Sequence, residues 1–143
     1  VLVAGAKCAG ILIETEHGAS TGERRAVIGF GVNIAHHPEG TPATHLEAHD
    51  PNATPQAVID ALRPALATVL DRLAAPDGPA EIRRLWLKRA VGIGASITVR
   101  YETEQLEGQF LGLDPSGRLI LGQDGGVTRL IAAGDVFVRA ERL

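Results

Sequence analysis

Two near-continuous apolar stretches limit what this chain can fold into more than any other feature. They are Lys7-Cys8-Ala9-Gly10-Ile11-Leu12-Ile13-Glu14 and Val27-Ile28-Gly29-Phe30-Gly31-Val32-Asn33-Ile34. Their apolar residues are successive and do not alternate, which predicts two strands covered on both faces, one of them by helices. The polar stretch between them, with Gly18 and Gly22, reads as the tip of a hairpin. Each stretch carries one polar residue that a bare core strand has no use for: Lys7 opens the first, and Asn33 stands near the end of the second. Gly10, Gly29 and Gly31 leave the neighbouring backbone uncovered. A site that binds a nucleotide and stabilises an acyl-phosphate would be built from such parts. Ahead of these strands, Val1-Leu2-Val3 reads as a strand end and Ala4-Gly5-Ala6 as a tight turn in which Gly5 takes positive φ.

The segment from His36 to Asn52 has no period and holds His36, His37, His45 and His49. Irregular segments of this length inside compact domains are usually functional. His45 and His49 would share a face if helical, but no cysteine accompanies them and Pro42 argues for irregular backbone, so no metal site is assigned. Thr54-Pro55 then supplies an N-cap followed by proline at the first helical position. Val58, Leu62, Leu66, Val69 and Leu73 recur at helical spacing, with Pro64 expected to kink the helix. A second helix is predicted after Pro76-Asp77-Gly78-Pro79, burying Ile82, Leu85 and Trp86.

From Gly92 the pattern changes to short strands. Ile97, Val99 and Tyr101 alternate; Asp114-Pro115-Ser116-Gly117 is a turn; Asp124-Gly125 is a hairpin signal. Five strands in so short a span predict a small closed barrel. The domains are therefore expected at residues 1–91 and 92–143.

Charge excludes one class of partner. Residues 1–90 carry 9 Lys/Arg against 10 Asp/Glu, and residues 91–143 carry 5 against 7. Neither part has the basic excess that a phosphate backbone requires, so nucleic acid is not an expected partner. No apolar run is long enough to span a bilayer, and the single cysteine, Cys8, has no partner for an internal disulfide; a cytoplasmic setting is expected. Cys8 reads as small apolar filler and Glu14 as a solvated or paired carboxylate.

The chain resembles the C-terminal portion of a biotin–protein ligase over nearly all its length. The resemblance rests on Lys7-x-Ala9-Gly10-Ile11-Leu12-Ile13-Glu14, on Val27-Ile28-Gly29-x-Gly31-Val32-Asn33 and on Pro42-Ala43-Thr44-x-Leu46. Trp86 and the closing Gly134-Asp135-Val136 agree with it. It implies an α+β fold: a β-sheet backed by helices, part of a class II synthetase-like catalytic core, followed by an SH3-like β-barrel. It also implies an enzyme that activates biotin with ATP to biotinyl-5'-AMP, with Mg²⁺ carried on the nucleotide. The biotin then passes to a lysine of a biotin carboxyl carrier protein domain.

By the same resemblance Lys7 contacts the acyl-adenylate as the catalytic cation. Gly29, Gly31 and Asn33 lie beside the nucleotide, and Asp135 and Arg139 are more distant contacts. His45 stands where the family more often has a small polar residue. The chain reads as the back half of a larger enzyme, inactive alone, without the Gly/Arg-rich biotin loop or the Lys-Trp-Pro-Asn segment expected just before Val1. Two rivals remain: a lipoate or octanoyl ligase relative, and a non-catalytic protein-binding module. Homodimerisation and an N-terminal DNA-binding domain stay open.

Overall fold

A computed structural model describes residues 1–17, 24–101, 104–132 and 135–138. By internal contacts the chain divides into Val1–Ala65 and Leu66–Leu143. The division falls inside a helix, α1 (Pro55–Leu73).

The first unit begins with a two-residue hairpin, β1 (Leu2–Val3) against β2 (Ala6–Lys7). Its turn takes positive φ at both central residues, 50° at Ala4 and 82° at Gly5. Two-residue hairpin turns need this when their twist is to match the strands; the sequence pattern points only to the glycine. The long hairpin follows: β3 (Ala9–His17) pairs antiparallel with β4 (Arg24–Val32), from Ala9 opposite Val32 to His17 opposite Arg24. Gly18 and Gly22 lie outside the described residues.

Coverage of this hairpin differs from expectation. Ile11, Leu12, Ile13 and Val27 are 55%, 65%, 60% and 60% exposed. Ile11, Leu12 and Ile13 are successive, so they lie on both faces of the ribbon. An unbroken apolar run reports that a strand can be covered twice. It does not supply the layers that cover it, and the described residues leave these side chains open.

Helix α1 starts where the sequence predicts, with the Thr54 hydroxyl accepting the Ala57 N–H at 3.1 Å. It continues through Pro64 as one element. Val58, Leu62 and Leu66 are half-buried, while Val69 and Leu73 are exposed.

In the second unit α2 (Gly78–Leu87) follows a turn so close that a Cβ on Gly78 would strike the carbonyls of Arg72 and Leu73. Ile82 and Leu85 are half-buried. Trp86, expected inside, is 49% exposed and offers Phe110 an edge contact at 6.3 Å, so the indole covers the sheet without entering the core.

Five strands form one antiparallel sheet: β5 (Ser96–Arg100), β6 (Gln105–Leu113), β7 (Leu119–Gly122), β8 (Thr128–Ile131) and β9 (Asp135–Val138). Their order is β8-β7-β6-β5-β9. β6 gives its first half to β5 and its second half to β7, with a bulge between Phe110 and Gly112. A long strand serving two neighbours across a bulge is how a sheet turns a corner. The predicted closure is not made: among the described residues β8 and β9 remain edges, with no ladder between them. Ile97, Val99, Leu106, Phe110, Leu121 and Ile131 form the core. Gly134 and Arg139 lie outside the described residues.

The turn from β6 to β7 is held by one carboxylate. Asp114 Oδ1 accepts the backbone N–H groups of Ser116 (2.9 Å) and Arg118 (2.8 Å), and Oδ2 accepts Arg118 Nε (2.8 Å) and Nη2 (2.7 Å). Burial pushes the Asp114 carboxyl up, but these hydrogen bonds and the guanidinium charge outweigh it and hold the group below its usual 3.8. A depressed carboxylate stabilises the fold above its unfolded value and loses that contribution as pH falls through its folded value. Thermal melts should therefore show a loss of stability as pH falls below about 4, and Asp114→Asn should flatten that part of the profile.

Candidate functional site

The polar residues of the two strand segments meet in the first unit through a hub at Asn33. Its backbone N–H donates to Cys8 O (2.9 Å), and its carbonyl accepts the Leu46 N–H (2.9 Å). Its carboxamide reaches sideways: Nδ2 donates to Thr44 O at 3.0 Å and to Lys7 O at 3.4 Å. Only the nitrogen can face two carbonyl oxygens, so this pair of contacts fixes the amide's orientation. Oδ1 is left as a bare acceptor among the described residues. Sequence reasoning singles out Asn33 as an amide in need of partners, either a nucleotide or the backbone of the loop that follows; its nitrogen takes the loop, at Thr44 O, and also Lys7 O.

Lys7 ends β2 and is separated from β3 by Cys8, so it does not lie within the long strand. Its backbone is clamped by the irregular segment: Lys7 N–H donates to Pro42 O (3.0 Å), Thr44 N–H donates to Lys7 O (2.9 Å), and Lys7 bridges Ala43 in parallel. The side chain is exposed, and no ion pair to it is recorded among the described residues. Cys8, beside it, is buried, its Sγ 3.8 Å from Asn33 O; it fills space.

These residues share an open cleft of about 870 Å³. Lys7 and Asn33 line it together with Gly29, Gly31, Phe30 and the loop residues Pro38, Thr41, Pro42 and Ala43. Gly29 and Gly31 are exposed. A Cβ on Gly31 would meet nothing within 4 Å, and one on Gly29 would meet Leu12 O only at 3.8 Å. Helix packing, the alternative use for these glycines, is thus not their role in the described structure. The cleft lining combines Lys7 and Asn33, rooted side by side with Asn33 Nδ2 3.4 Å from Lys7 O, with the bare backbone of Gly29 and Gly31 and the apolar side chains of Ile11, Leu12 and Phe30. Such a surface suits a flat, anionic ligand carrying an N–H donor.

The histidines scatter to separate partners. His45 meets His37, and His49 Nε2 lies 2.9 Å from Thr44 Oγ1. No group of three metal-ligating side chains occurs among the described residues. Asp135 lies on β9 in the second unit.

Known proteins resemble the chain along its whole length. Residues 92–139 match the family model described as biotin protein ligase C terminal domain. Over 145 residues the chain is 37% identical to a biotin--[acetyl-CoA-carboxylase] ligase of Paracoccus denitrificans, covering 96% of the chain and 59% of that protein. Among solved structures, the apo biotin protein ligase of Aquifex aeolicus superposes with a TM-score of 0.75 at 18% identity, over 96% of this chain and 60% of that one. The Aquifex aeolicus ligase in complex with biotin and ATP gives 0.72 at 19% identity, over 94% and 56%. The chain thus spans somewhat under two thirds of the length of each.

Proposed function

We propose, from its likeness in sequence and fold to biotin protein ligases, that the whole protein is such a ligase. The biotin carboxylate attacks the α-phosphate of ATP, forming biotinyl-5'-AMP and releasing pyrophosphate. The ε-amine of a lysine on a biotin carboxyl carrier protein domain then attacks the acyl carbon, and AMP leaves. Residues 1–91 belong to the catalytic domain, and residues 92–143 form a C-terminal SH3-like domain. No helix among the described residues is long and apolar enough to cross a membrane. The protein works in the cytoplasm.

One observation carries the reading: Lys7 and Asn33 line the same cleft, with Asn33 Oδ1 unbonded among the described residues. Charge develops at the α-phosphate and the attacking carboxyl oxygen, and a positioned ammonium offsets it most where water is excluded. Lys7 fills that role. Asn33 Oδ1, its amide nitrogen already committed, accepts from an exocyclic amine such as that of adenine. Gly29 and Gly31 let the base lie against the backbone. Among the described residues the cleft lining contains no carboxylate; Mg²⁺ would come with the ATP and be held mainly by its phosphates.

The test is biotin transfer by the full-length protein to a carrier domain, alongside titration with biotinyl-adenylate. Carrier binding with no affinity for the adenylate would replace the ligase by a protein-binding module; transfer of lipoate or octanoate in place of biotin would favour that relative. A second variant separates site from fold. Gly31→Val, placed in open space, should alter stability by no more than about 0.5 kcal/mol. It should weaken nucleotide binding about tenfold or more, by calorimetric titration, since the branched side chain occupies the base's position; one tenfold step corresponds to about 1.4 kcal/mol.

A further inference from the structure

Two of the loop histidines have no part in the reading above, and their arrangement depends on how many protons they hold. His37 Nδ1 and His45 Nδ1 lie 2.9 Å apart, with the ring centroids 5.1 Å apart and the planes inclined by 26°, so the rings meet edge to edge, nitrogen to nitrogen. Two ring nitrogens that close need one N–H and one lone pair between them. A neutral pair or a singly protonated pair meets that need. A doubly protonated pair sets two donors and two like charges against each other.

The contact closes the base of a short loop. Between the two histidines lie Pro38, Thr41, Pro42 and Ala43, which form one wall of the cleft, and the same stretch is bonded to the Lys7 backbone. His49 is different in kind: its partner is a hydroxyl, which can accept from a protonated ring or donate to a neutral one. Among the described residues no carboxylate is bonded to either ring of the pair. The titratable neighbours on the segment are His36, Glu39, Glu47, His49 and Asp50, and Lys7 faces the loop from β2.

We propose that the His37–His45 contact is a proton-controlled clasp on the cleft wall: it holds the loop against β2 while the pair carries at most one extra proton, and a second proton releases it. The second proton has to enter beside a like charge, so the loop is held at neutral pH and loosens on acidification. The inference concerns the loop alone and stands whether or not the cleft binds a nucleotide.

The test follows the loop directly, by NMR of the ring resonances and of amide exchange at Lys7 and Thr44, whose N–H groups bond across the loop and β2. His45→Asn is the informative variant, because its amide can donate to a neutral His37 or accept from a protonated one. On going from pH about 8 to about 5, the wild-type protein should lose protection at both amides at least about tenfold relative to His45→Asn at the same pH, the coupling at which paired sites titrate in separate steps. His49→Gln should keep that loss. A wild-type loop with no acid transition, a transition surviving in His45→Asn, or one abolished by His49→Gln would overturn the clasp. Should His45→Asn not fold, His37→Asn serves the same comparison.

Discussion

Replacing Lys7 with alanine in the full-length protein should cost about 2–4 kcal/mol of transition-state stabilisation in adenylate formation, up to about three orders of magnitude in rate. The argument is electrostatic. The ammonium stands on a two-residue strand whose backbone is clamped on both sides, by Pro42 O and by the Thr44 N–H, so its root has little freedom to drift. No carboxylate is recorded against it among the described residues, so its charge is not spent internally. In bulk water a unit charge at about 4 Å contributes about 1 kcal/mol, and the larger figure requires that bound substrates displace solvent from the cleft. Pyrophosphate exchange measures the step. Lys7→Arg should recover only part of the rate, since a planar fork does not reproduce a compact point charge. Exchange unchanged in Lys7→Ala would remove Lys7 from the chemistry.

The second large effect belongs to the other unit and to stability. Leu121 is 0% exposed and packs with Ile97, Val99, Leu106, Phe110 and Ile131. Leu121→Ala should cost about 2–5 kcal/mol, the lost transfer energy plus the cavity that a stiff sheet cannot collapse to fill. The site is intolerant because its Cγ and Cδ1 lie directly over Gly108, where even a Cβ would have no room. Leu130, on β8 of the same sheet, is 48% exposed, and its truncation should cost less than half as much. Urea denaturation compares the two; equal costs would mean that this sheet is not the core.

Local chemistry was readable from the sequence wherever one or two residues determine the outcome. Thr54 and Pro55 announce α1 because a cap and a missing N–H act within one turn. Asp114 to Gly117 announces its turn for the same reason, with Gly117 N–H bonded back to Asp114 O at 3.0 Å. What depends on distant partners was not readable. The apolar runs of β3 and β4 mark surface fit for burial, but exposure at Ile11 to Ile13 is decided by which layers are present, and no periodicity encodes that. Trp86 looked like core because indoles usually are, yet it lies at a rim.

The juxtaposition of the four candidate residues was legible in the sequence, and their geometry was not. Lys7, Gly29, Gly31 and Asn33 do line one cleft. The loop backbone was one of two partners open to the Asn33 amide, but nothing in the spacing chose it, or foretold that Lys7 O would share it or that His37 would find His45 across an unpatterned loop.

Asn33 ties two pieces of chain at one point through four groups: the Cys8 and Lys7 carbonyls on one side, the Thr44 carbonyl and the Leu46 amide on the other. Losing that one carboxamide would release the Lys7 and Thr44 carbonyls together, and so loosen at a stroke the far end of the stretch from residue 34 to residue 43 and the strand that carries the ammonium.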